Sequence, residues 1–274
     1  MGSVYEIVTD KIIKELENGT VPWHKPWNGA ISRSTGKEYR GINRLLLDAG
    51  EYATYKQIAA EGGQVKKGSK GHLVTFWKMN KFEEESGEEK TIPMLRYYTV
   101  FEVGSQVDGL EYKYYNPKGN FIPAEQAENI IENWAKVVPI NYGGSQAYYS
   151  PSSDEITLPE KEKFSSTEEY YSTAYHEAIH STGHDSRLKR FSSNSIASFG
   201  SETYSKEELV AEIGAAYLCN MAGVETVDTL KNNASYIQSW LNVLKNDKRM
   251  IISAASQSEK AVQLIMNIQE GETV

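Results

Sequence analysis

The chain has 274 residues, of which 39% are hydrophobic and 24% charged, a globular composition that suffices for one large or two ordinary domains. Its single cysteine excludes a disulfide framework, and no run approaches 18 apolar residues, so no membrane-spanning helix is expected. Because its start also lacks a signal-peptide pattern, the sequence predicts a soluble cytoplasmic protein.

The formal net charge of −8 is unevenly distributed along the chain. Residues 1–115 carry 16 Lys/Arg and 16 Asp/Glu, whereas residues 116–274 carry 13 and 21. Five of the acidic residues in the first part lie within residues 83–89, which are predicted to form a hairpin tip. The rest of the first part has a surplus of five positive charges, which favours an anionic partner.

The first part is predicted to be α+β. Apolar residues at helical spacing predict a helix over residues 4–16, which Asn18-Gly19 ends. The other predicted elements are short helices over 45–49 and 54–59 and strands over 73–78 and 95–103. A linker at 116–120, containing proline and glycine, ends a first domain of residues 1–115.

The second domain, residues 121–274, is predicted to be mainly helical with a small sheet. In chain order, the predicted elements are a helix over 124–136, strands over 146–149 and 155–159, a helix opened by the S-x-x-E capping box at Ser166, a helix over 205–218, and helical stretches near 232–246 and 249–268. The predicted fold class is therefore α+β, with two domains.

The most informative motif is the H-E-x-x-H run at residues 176–180. Two histidines four residues apart lie one turn from each other on a helix, so both imidazoles can reach a single Zn²⁺. Glu177 beside them is the expected general base, because a carboxylate there can take a proton from water activated by the metal. The motif predicts zinc ligands at His176 and His180; the alternative is an ordinary helix with two surface histidines.

The strand predicted over 155–159 directly precedes this helix. Its exposed edge is expected to pair with an extended peptide and so to hold a scissile carbonyl over the metal. The arrangement therefore predicts a peptidase cleft.

A later helix is expected to supply the third ligand, since Glu208 and Glu212 are four residues apart and share a face. One can bind the metal while the other hydrogen-bonds a ligating imidazole. We expect Glu208 to be the ligand and Glu212 the supporting partner, with Glu212 or His184 as alternative ligands. Ser205-x-x-Glu208 is also a capping box, which would explain Glu208 without any metal. The metzincin pattern is excluded, because Ser186 occupies the place of its third histidine.

Aromatic and basic residues alternate through much of the first domain. Stacking faces beside a basic track are what non-specific binding of single-stranded DNA requires. The alternative interpretation is an aromatic core with a solvated basic rim. The residues predicted to bind DNA are Trp23, Lys25, Trp27, Arg40, Arg44, Lys66, Lys67 and Lys70.

Nearly the whole chain resembles the ArdC-type antirestriction proteins, and the resemblance depends on several motifs. Those in the first domain are P-W-x-K-P-W at 22–27, T-G-x-x-Y-R-G-I-N at 35–43 and V-K-K-G-x-K-G at 65–71. Those in the second are Y-G-G at 142–144, A-Y-Y at 147–149, D-x-I-x-L-P at 154–159, H-E-x-x-H-S-T-G-H at 176–184 and E-E-L-V-A-E at 207–212.

This resemblance implies an N-terminal domain that binds single-stranded DNA, joined to a zincin-like metallopeptidase domain. It further implies a protein of mobile genetic elements that protects incoming DNA from host restriction.

Two other functions stay open on the sequence alone. An intracellular zinc protease that cleaves a regulatory or restriction protein would use the first domain to recognise protein. A DNA-binding protein with a purely structural metal would hold it with a fourth protein ligand, whereas an open coordination position favours an enzyme.

Overall fold

The computed structural model describes residues 2–24, 29–83, 89–116, 124–191, 202–224 and 233–267. Most of the predicted acidic hairpin tip and most of the predicted linker lie outside these residues, as do Lys25 and Trp27. The chain forms two compact units. The first comprises Met1–Lys11 and Asn28–Lys118, and the second Ile12–Trp27 and Gly119–Val274. A segment from the N-terminal part of the chain thus belongs to the second unit, which a single boundary after residue 115 does not anticipate.

The first unit is α+β, as predicted. Its helices are α1 (Val4–Glu17, the end of which belongs to the second unit), α2 (Ile42–Leu46), α3 (Tyr55–Ala60) and α4 (Val103–Gln106). Its strands are β1 (Ala30–Ser32), β2 (Gly50–Ala53), β3 (Gln64–Val65), β4 (His72–Glu83), β5 (Glu89–Glu102) and β6 (Val107–Asp108). One sheet has the order β1-β2-β5-β4, in which only β1 and β2 are parallel, and β3 pairs with β6.

A long hairpin of β4 and β5 dominates this sheet. Both strands extend well beyond the predicted segments, with His72 opposite Val100 at one end and Glu83 opposite Glu89 at the other. The base of the hairpin packs on a buried hydrophobic cluster. There Val74 and Val100 pack with buried residues of the neighbouring elements, namely Ala30, Leu47 and Tyr52.

A buried carboxylate ties the last residues of the first unit to its sheet. Glu51 on β2 is 0% exposed and forms an ion pair with Arg33. Its Oε2 accepts hydrogen bonds from the backbone N–H groups of Lys113, Tyr114 and Tyr115 at 2.9, 2.6 and 3.1 Å. These bonds offset the cost of burying the charge and fix the course of the chain after β6.

The second unit is mainly helical with a small sheet, as predicted. Its elements are α5 (Ala124–Ala135), β7 (Ile140–Tyr142), β8 (Tyr148–Ser150), β9 (Glu155–Leu158), α6 (Thr167–Ser181), α7 (Glu202–Met221), α8 (Asn233–Asn246) and α9 (Met250–Ile265). The sheet order is β7-β9-β8, with β7 parallel and β8 antiparallel to β9. Among the described helices, none combines the length and apolar character needed to cross a membrane.

Two local features are seen along α6: a cap at its start and a close contact with α7 near its end. Ser166 caps α6 by accepting the Glu169 N–H at 3.1 Å, as the capping-box motif predicts, although the Glu169 carboxylate accepts from the Ser165 N–H instead. Gly214 on α7 lies where a Cβ would come within 2.7 Å of the Ile179 side chain. The missing side chain lets the two helices approach closely beside His180.

The segment Ile12–Trp27 is anchored in the second unit by an aromatic contact. The Trp23 ring is 0% exposed and meets Trp240 on α8 edge to face, with ring centroids 5.2 Å apart. Lys245, also on α8, forms an ion pair with Glu17 at 2.7 Å. Because a buried tryptophan removes a large apolar area from water, the contact with Trp240 stabilises this segment more than the ion pair does.

Candidate metal centre

Helix α6 presents His176 and His180 one turn apart, with ring centroids separated by 4.6 Å. Their Nε2 atoms lie 3.0 Å apart. Both side chains are largely buried, so the two nitrogens point into a shared, sheltered space. This is the arrangement that the four-residue spacing predicts.

Glu208 on α7 faces both imidazoles. Its Oε2 lies 3.4 Å from His176 Nε2, and its Oε1 lies 3.4 Å from His180 Nε2. The capping-box explanation of this glutamate does not hold, because α7 begins at Glu202 and Ser205 therefore lies inside the helix. The Ser205 hydroxyl instead contacts the Ser239 hydroxyl at 3.2 Å.

Each imidazole also has a carboxylate beside its other ring nitrogen. Glu212 Oε1 lies 3.3 Å from His176 Nδ1, and Glu207 Oε1 lies 3.3 Å from His180 Nδ1. Partners of this kind fix the tautomer and the orientation of metal-binding histidines. Glu212 lies beside an imidazole as expected, whereas the contact of Glu207 with His180 was not predicted from the sequence.

Arg190 holds Glu207 in place. Its Nε and Nη2 donate hydrogen bonds to the two Glu207 oxygens at 2.9 and 2.7 Å. The same guanidinium donates to Thr182 Oγ1 at 2.7 Å and to the Ile179 carbonyl at 2.8 Å, which ties it to the end of α6. A bidentate pair of this geometry is among the stronger charged contacts in proteins.

These contacts shift the pKa values of the histidines and glutamates. Burial by itself lowers the pKa of His176, but Glu208 and Glu212 outweigh it and raise that pKa well above its ordinary value. For His180 burial is likewise outweighed, here by Glu207 and Glu208, and the pKa rises to about 9. Burial raises the pKa of Glu212, yet His176 and His24 lower it on balance to about 2. The pKa of Glu208 is lowered as well, so the carboxylates stay ionised and favour a cation.

A divalent cation fits this set of donors. One ligand atom from each of His176, His180 and Glu208 lies within 4.8 Å of the others. Two imidazoles and a carboxylate form the set that open catalytic zinc sites use, and both imidazoles have a carboxylate behind them. The three residues are therefore able to hold one metal ion and leave a coordination position for another molecule.

Glu177, the predicted general base, lies on α6 next to His176 and is 8% exposed. It is not one of the three converging donors. Nothing in that cluster requires Glu177 as a ligand, which leaves its carboxylate available for proton transfer.

A second polar cluster follows α6. The Arg187 guanidinium forms a short ion pair with Asp154 and donates to the Ser181 carbonyl at 2.8 Å. Tyr149 donates its hydroxyl hydrogen to Asp154 at 2.7 Å, and His184 Nδ1 lies 3.7 Å from the same carboxylate. The sequence left His184 as an alternative third ligand. In the structure it contacts Asp154 and is not one of the three converging donors.

The expectation of an exposed edge on the strand before α6 is wrong. That strand is β9, and it is the central strand of its sheet, with Ile140 paired on one side and Tyr149 on the other through Ile156. Ile156 and Thr157 are thus paired on both sides, so an extended substrate cannot pair with them as an additional strand. The outer strands β7 and β8 carry the free edges, and both present exposed tyrosines, Tyr142 and Tyr148.

The described residues that are predicted to bind DNA differ in their exposure and contacts. Trp23 is fully buried against Trp240, so its ring cannot stack on a base, and this prediction is corrected. Lys25 and Trp27 lie outside the described residues. The basic residues divide into two groups. Arg40, Lys67 and Lys70 are exposed, whereas Arg44 pairs with Glu38 at 3.1 Å and Lys66 donates to the Ser105 carbonyl at 2.9 Å.

A different aromatic surface lies on the β4–β5 hairpin. Its stem, residues 72–82 and 90–101, contains four Lys/Arg and no Asp/Glu. On one face Phe76 meets Tyr98 edge to face at 5.5 Å, and both rings are exposed. On the other face Trp77 is 53% exposed and Tyr97 is 42% exposed. Sequence alone could not show that these rings are exposed, because the alternation of residues along a strand does not reveal whether other elements cover a face.

Two domain families match the chain. Residues 2–101 match the N-terminal domain of the anti-restriction factor ArdC, and residues 125–257 match the zincin-like metallopeptidases. The solved metal-free structure of the antirestriction protein ArdC from plasmid R388 is 37% identical, with a TM-score of 0.83 over 98% of this chain and 100% of that one. The Mn(II)-bound structure of the same protein gives a TM-score of 0.80 at 37% identity and covers 97% and 98%.

Similar sequences occur in proteins of different lengths. Two Escherichia coli proteins named DNA primase TraC are 35% identical over 97% of this chain, which spans only 20% and 27% of their lengths. Protein y4eC of Sinorhizobium fredii is 35% identical over 94% of this chain and 89% of its own length.

A metal-bound relative and a zincin-like domain together suggest a divalent metal for this fold. By its two domains and its agreement with ArdC over the full length, the chain belongs to the ArdC family of antirestriction proteins.

Proposed function

We propose that this chain is an antirestriction protein that binds single-stranded DNA and carries a zinc-dependent peptidase site. The observation that carries the peptidase proposal is the convergence of His176, His180 and Glu208 within 4.8 Å. A structural metal would be enclosed by four protein ligands, whereas three donors favour a catalytic site.

The residues of the site have distinct roles in this proposal. His176, His180 and Glu208 would hold the zinc, which when bound polarises a peptide carbonyl and lowers the pKa of water. Glu177 accepts a proton from the attacking water and delivers it to the leaving amine nitrogen. Glu207 and Glu212 keep the two imidazoles oriented through their Nδ1 atoms.

The peptidase proposal is tested with the purified full chain, zinc and denatured casein as a general substrate. We expect cleavage that a chelator abolishes and that added zinc restores, and no cleavage by Glu177→Gln. Cleavage that persists in the chelator or in Glu177→Gln would contradict the proposed chemistry. Zinc binding without cleavage of casein or of a mixed peptide library would favour a structural metal.

The hairpin stem supports the second activity, binding of single-stranded DNA. Exposed aromatic rings provide faces on which any base can stack, and the neighbouring Lys and Arg attract the phosphates. Lys78 and Arg96 lie on the same face as Phe76 and Tyr98, as the pairing of the two strands requires. The match of this unit to the ArdC N-terminal domain also suggests an interaction with DNA.

The DNA proposal is tested by fluorescence anisotropy with a labelled oligothymidylate and a duplex of the same length. We expect the full chain to bind the single strand more tightly and binding to weaken as salt is added. Equal or stronger binding of the duplex would contradict a stacking surface.

A further inference from the structure

Glu212 lies between two imidazoles. Its Oε1 is 3.3 Å from His176 Nδ1, and its Oε2 is 3.8 Å from His24 Nε2. The Glu212 side chain is 6% exposed and that of His24 is 18% exposed, so the contact is sheltered from water. The motif P-W-x-K-P-W, in which His24 is the variable position, gives no reason for this contact.

A buried carboxylate is costly unless both its oxygens have partners. Glu212 Oε1 and His176 Nδ1 are close but are not aligned as a hydrogen bond. His176 alone therefore does not fix the Glu212 carboxylate. The His24 imidazole lies within ion-pair distance of the other oxygen, at 3.8 Å, and a polar ring at that place limits the rotation of the carboxylate.

The other imidazole of the centre provides a comparison. Glu207, which lies behind His180, is held by two hydrogen bonds from Arg190 at 2.9 and 2.7 Å. Glu212, which lies behind His176, has His24 in the corresponding place. Each imidazole thus has a carboxylate behind it. Two hydrogen bonds from Arg190 hold Glu207, and the His24 imidazole lies within ion-pair distance of Glu212.

His24 itself is held by its surroundings. Its backbone N–H donates to the Val21 carbonyl at 3.0 Å, which closes a turn. The preceding residue, Trp23, is fully buried against Trp240 on α8. A side chain on an anchored backbone loses little further freedom when it contacts Glu212.

We propose that His24 is a positioning residue of the metal centre: it holds Glu212 Oε2, and Glu212 Oε1 in turn orients the His176 imidazole. The proposal rests on the proposed metal centre. It adds His24, a residue from the N-terminal part of the chain, to a metal site that is otherwise built from α6 and α7.

The test is zinc binding by the full chain, measured by competition with a chromogenic chelator, together with the melting temperature of the metal-free protein. His24→Ala should weaken zinc binding about 10-fold. This is at the lower end of the effect of losing a residue that supports a metal ligand, because His24 acts only through Glu212. His24→Gln keeps an N–H donor and should recover part of this loss. Asn18→Ala, in the same segment but exposed, is the matched control and should change neither quantity.

A double substitution shows whether His24 acts through Glu212. In a Glu212→Ala background, removal of His24 should cause no additional loss of zinc affinity. A further loss as large as in the parent chain would overturn the inference, as would unchanged affinity in a folded His24→Ala protein. If His24→Ala fails to fold, His24→Phe, which keeps a ring but has no N–H donor, takes its place: zinc affinity equal to that of the Asn18→Ala control would also overturn the inference. Absence of zinc binding by the parent chain would instead overturn the proposed metal centre itself, and this inference with it.

Discussion

Arg190 and Glu207 form a bidentate ion pair directly behind the metal-site imidazole of His180. The pair joins the chain that follows α6 to helix α7. It thereby sets the position of one imidazole relative to the helix that carries Glu208.

The three glutamates of α7 are predicted to differ in their effect on metal binding. Glu208→Ala removes a ligand and should weaken zinc binding most, whereas Glu212→Ala and Glu207→Ala should each weaken it by about 10- to 100-fold. Zinc titration against a competing chelator measures the order. Glu160→Ala, an exposed glutamate just beyond β9, serves as the control. A larger loss for Glu212→Ala than for Glu208→Ala would move the third ligand to Glu212.

Glu177→Gln is predicted to separate metal binding from hydrolysis. The substitution keeps the size of the side chain but removes its ability to accept a proton, so peptide cleavage should fall by about 100- to 10,000-fold. Zinc affinity should be unchanged, because Glu177 is outside the three converging donors. A parallel loss of affinity and cleavage would show that Glu177 supports the metal and would argue against the base role.

Stability of the metal-free protein is predicted to fall as the pH rises. The folded-state pKa of His180 is raised to about 9, compared with about 6.5 for an unfolded chain. Its contribution to stability is therefore complete below about pH 6.5 and is lost as the pH rises through about 9. Thermal melts between pH 6.5 and 9.5 should show this loss without metal. His180→Gln should remove the part of this pH dependence that His180 contributes and leave the part due to His176, whose pKa is also raised. An unchanged dependence in that variant would show that His180 contributes none of it.

Two tryptophans are predicted to respond in opposite ways. Trp77→Ala on the exposed hairpin should weaken binding of oligothymidylate by about 1–3 kcal/mol, or roughly 5- to 150-fold, with little change in melting temperature. Trp77→Phe keeps a stacking face and should lose less. Trp23→Ala should instead destabilise the fold by about 3–5 kcal/mol, since its ring is fully buried. Tight DNA binding by folded Trp77→Ala would remove the hairpin from the DNA surface.

The metal-site histidines could be predicted from sequence because their spacing alone places them on one face of a helix. The choice between Glu208 and Glu212 could not, since both lie on the face that meets α6. Glu207 was missed for a related reason. Adjacent residues on a helix point about 100° apart, and only the crossing of α6 and α7 turns Glu207 toward His180.

The DNA surface was harder to predict than the metal site. A loop tryptophan such as Trp23 and a strand tryptophan such as Trp77 look equally available in sequence, and only packing distinguishes 0% from 53% exposure. Strands β1, β2 and β7 were not predicted, because segments of three or four residues carry too little alternation to detect. The position of β9 at the centre of its sheet depends on β7 and was missed with it.

Anomalous diffraction from crystals of the zinc-loaded full chain tests the central claim most directly. The account predicts one zinc ion per chain, bound by His176 Nε2, His180 Nε2 and a Glu208 oxygen at about 2.0–2.2 Å, with a position left open to solvent. Zinc held by a fourth protein side chain, or bound away from these three residues, would contradict it.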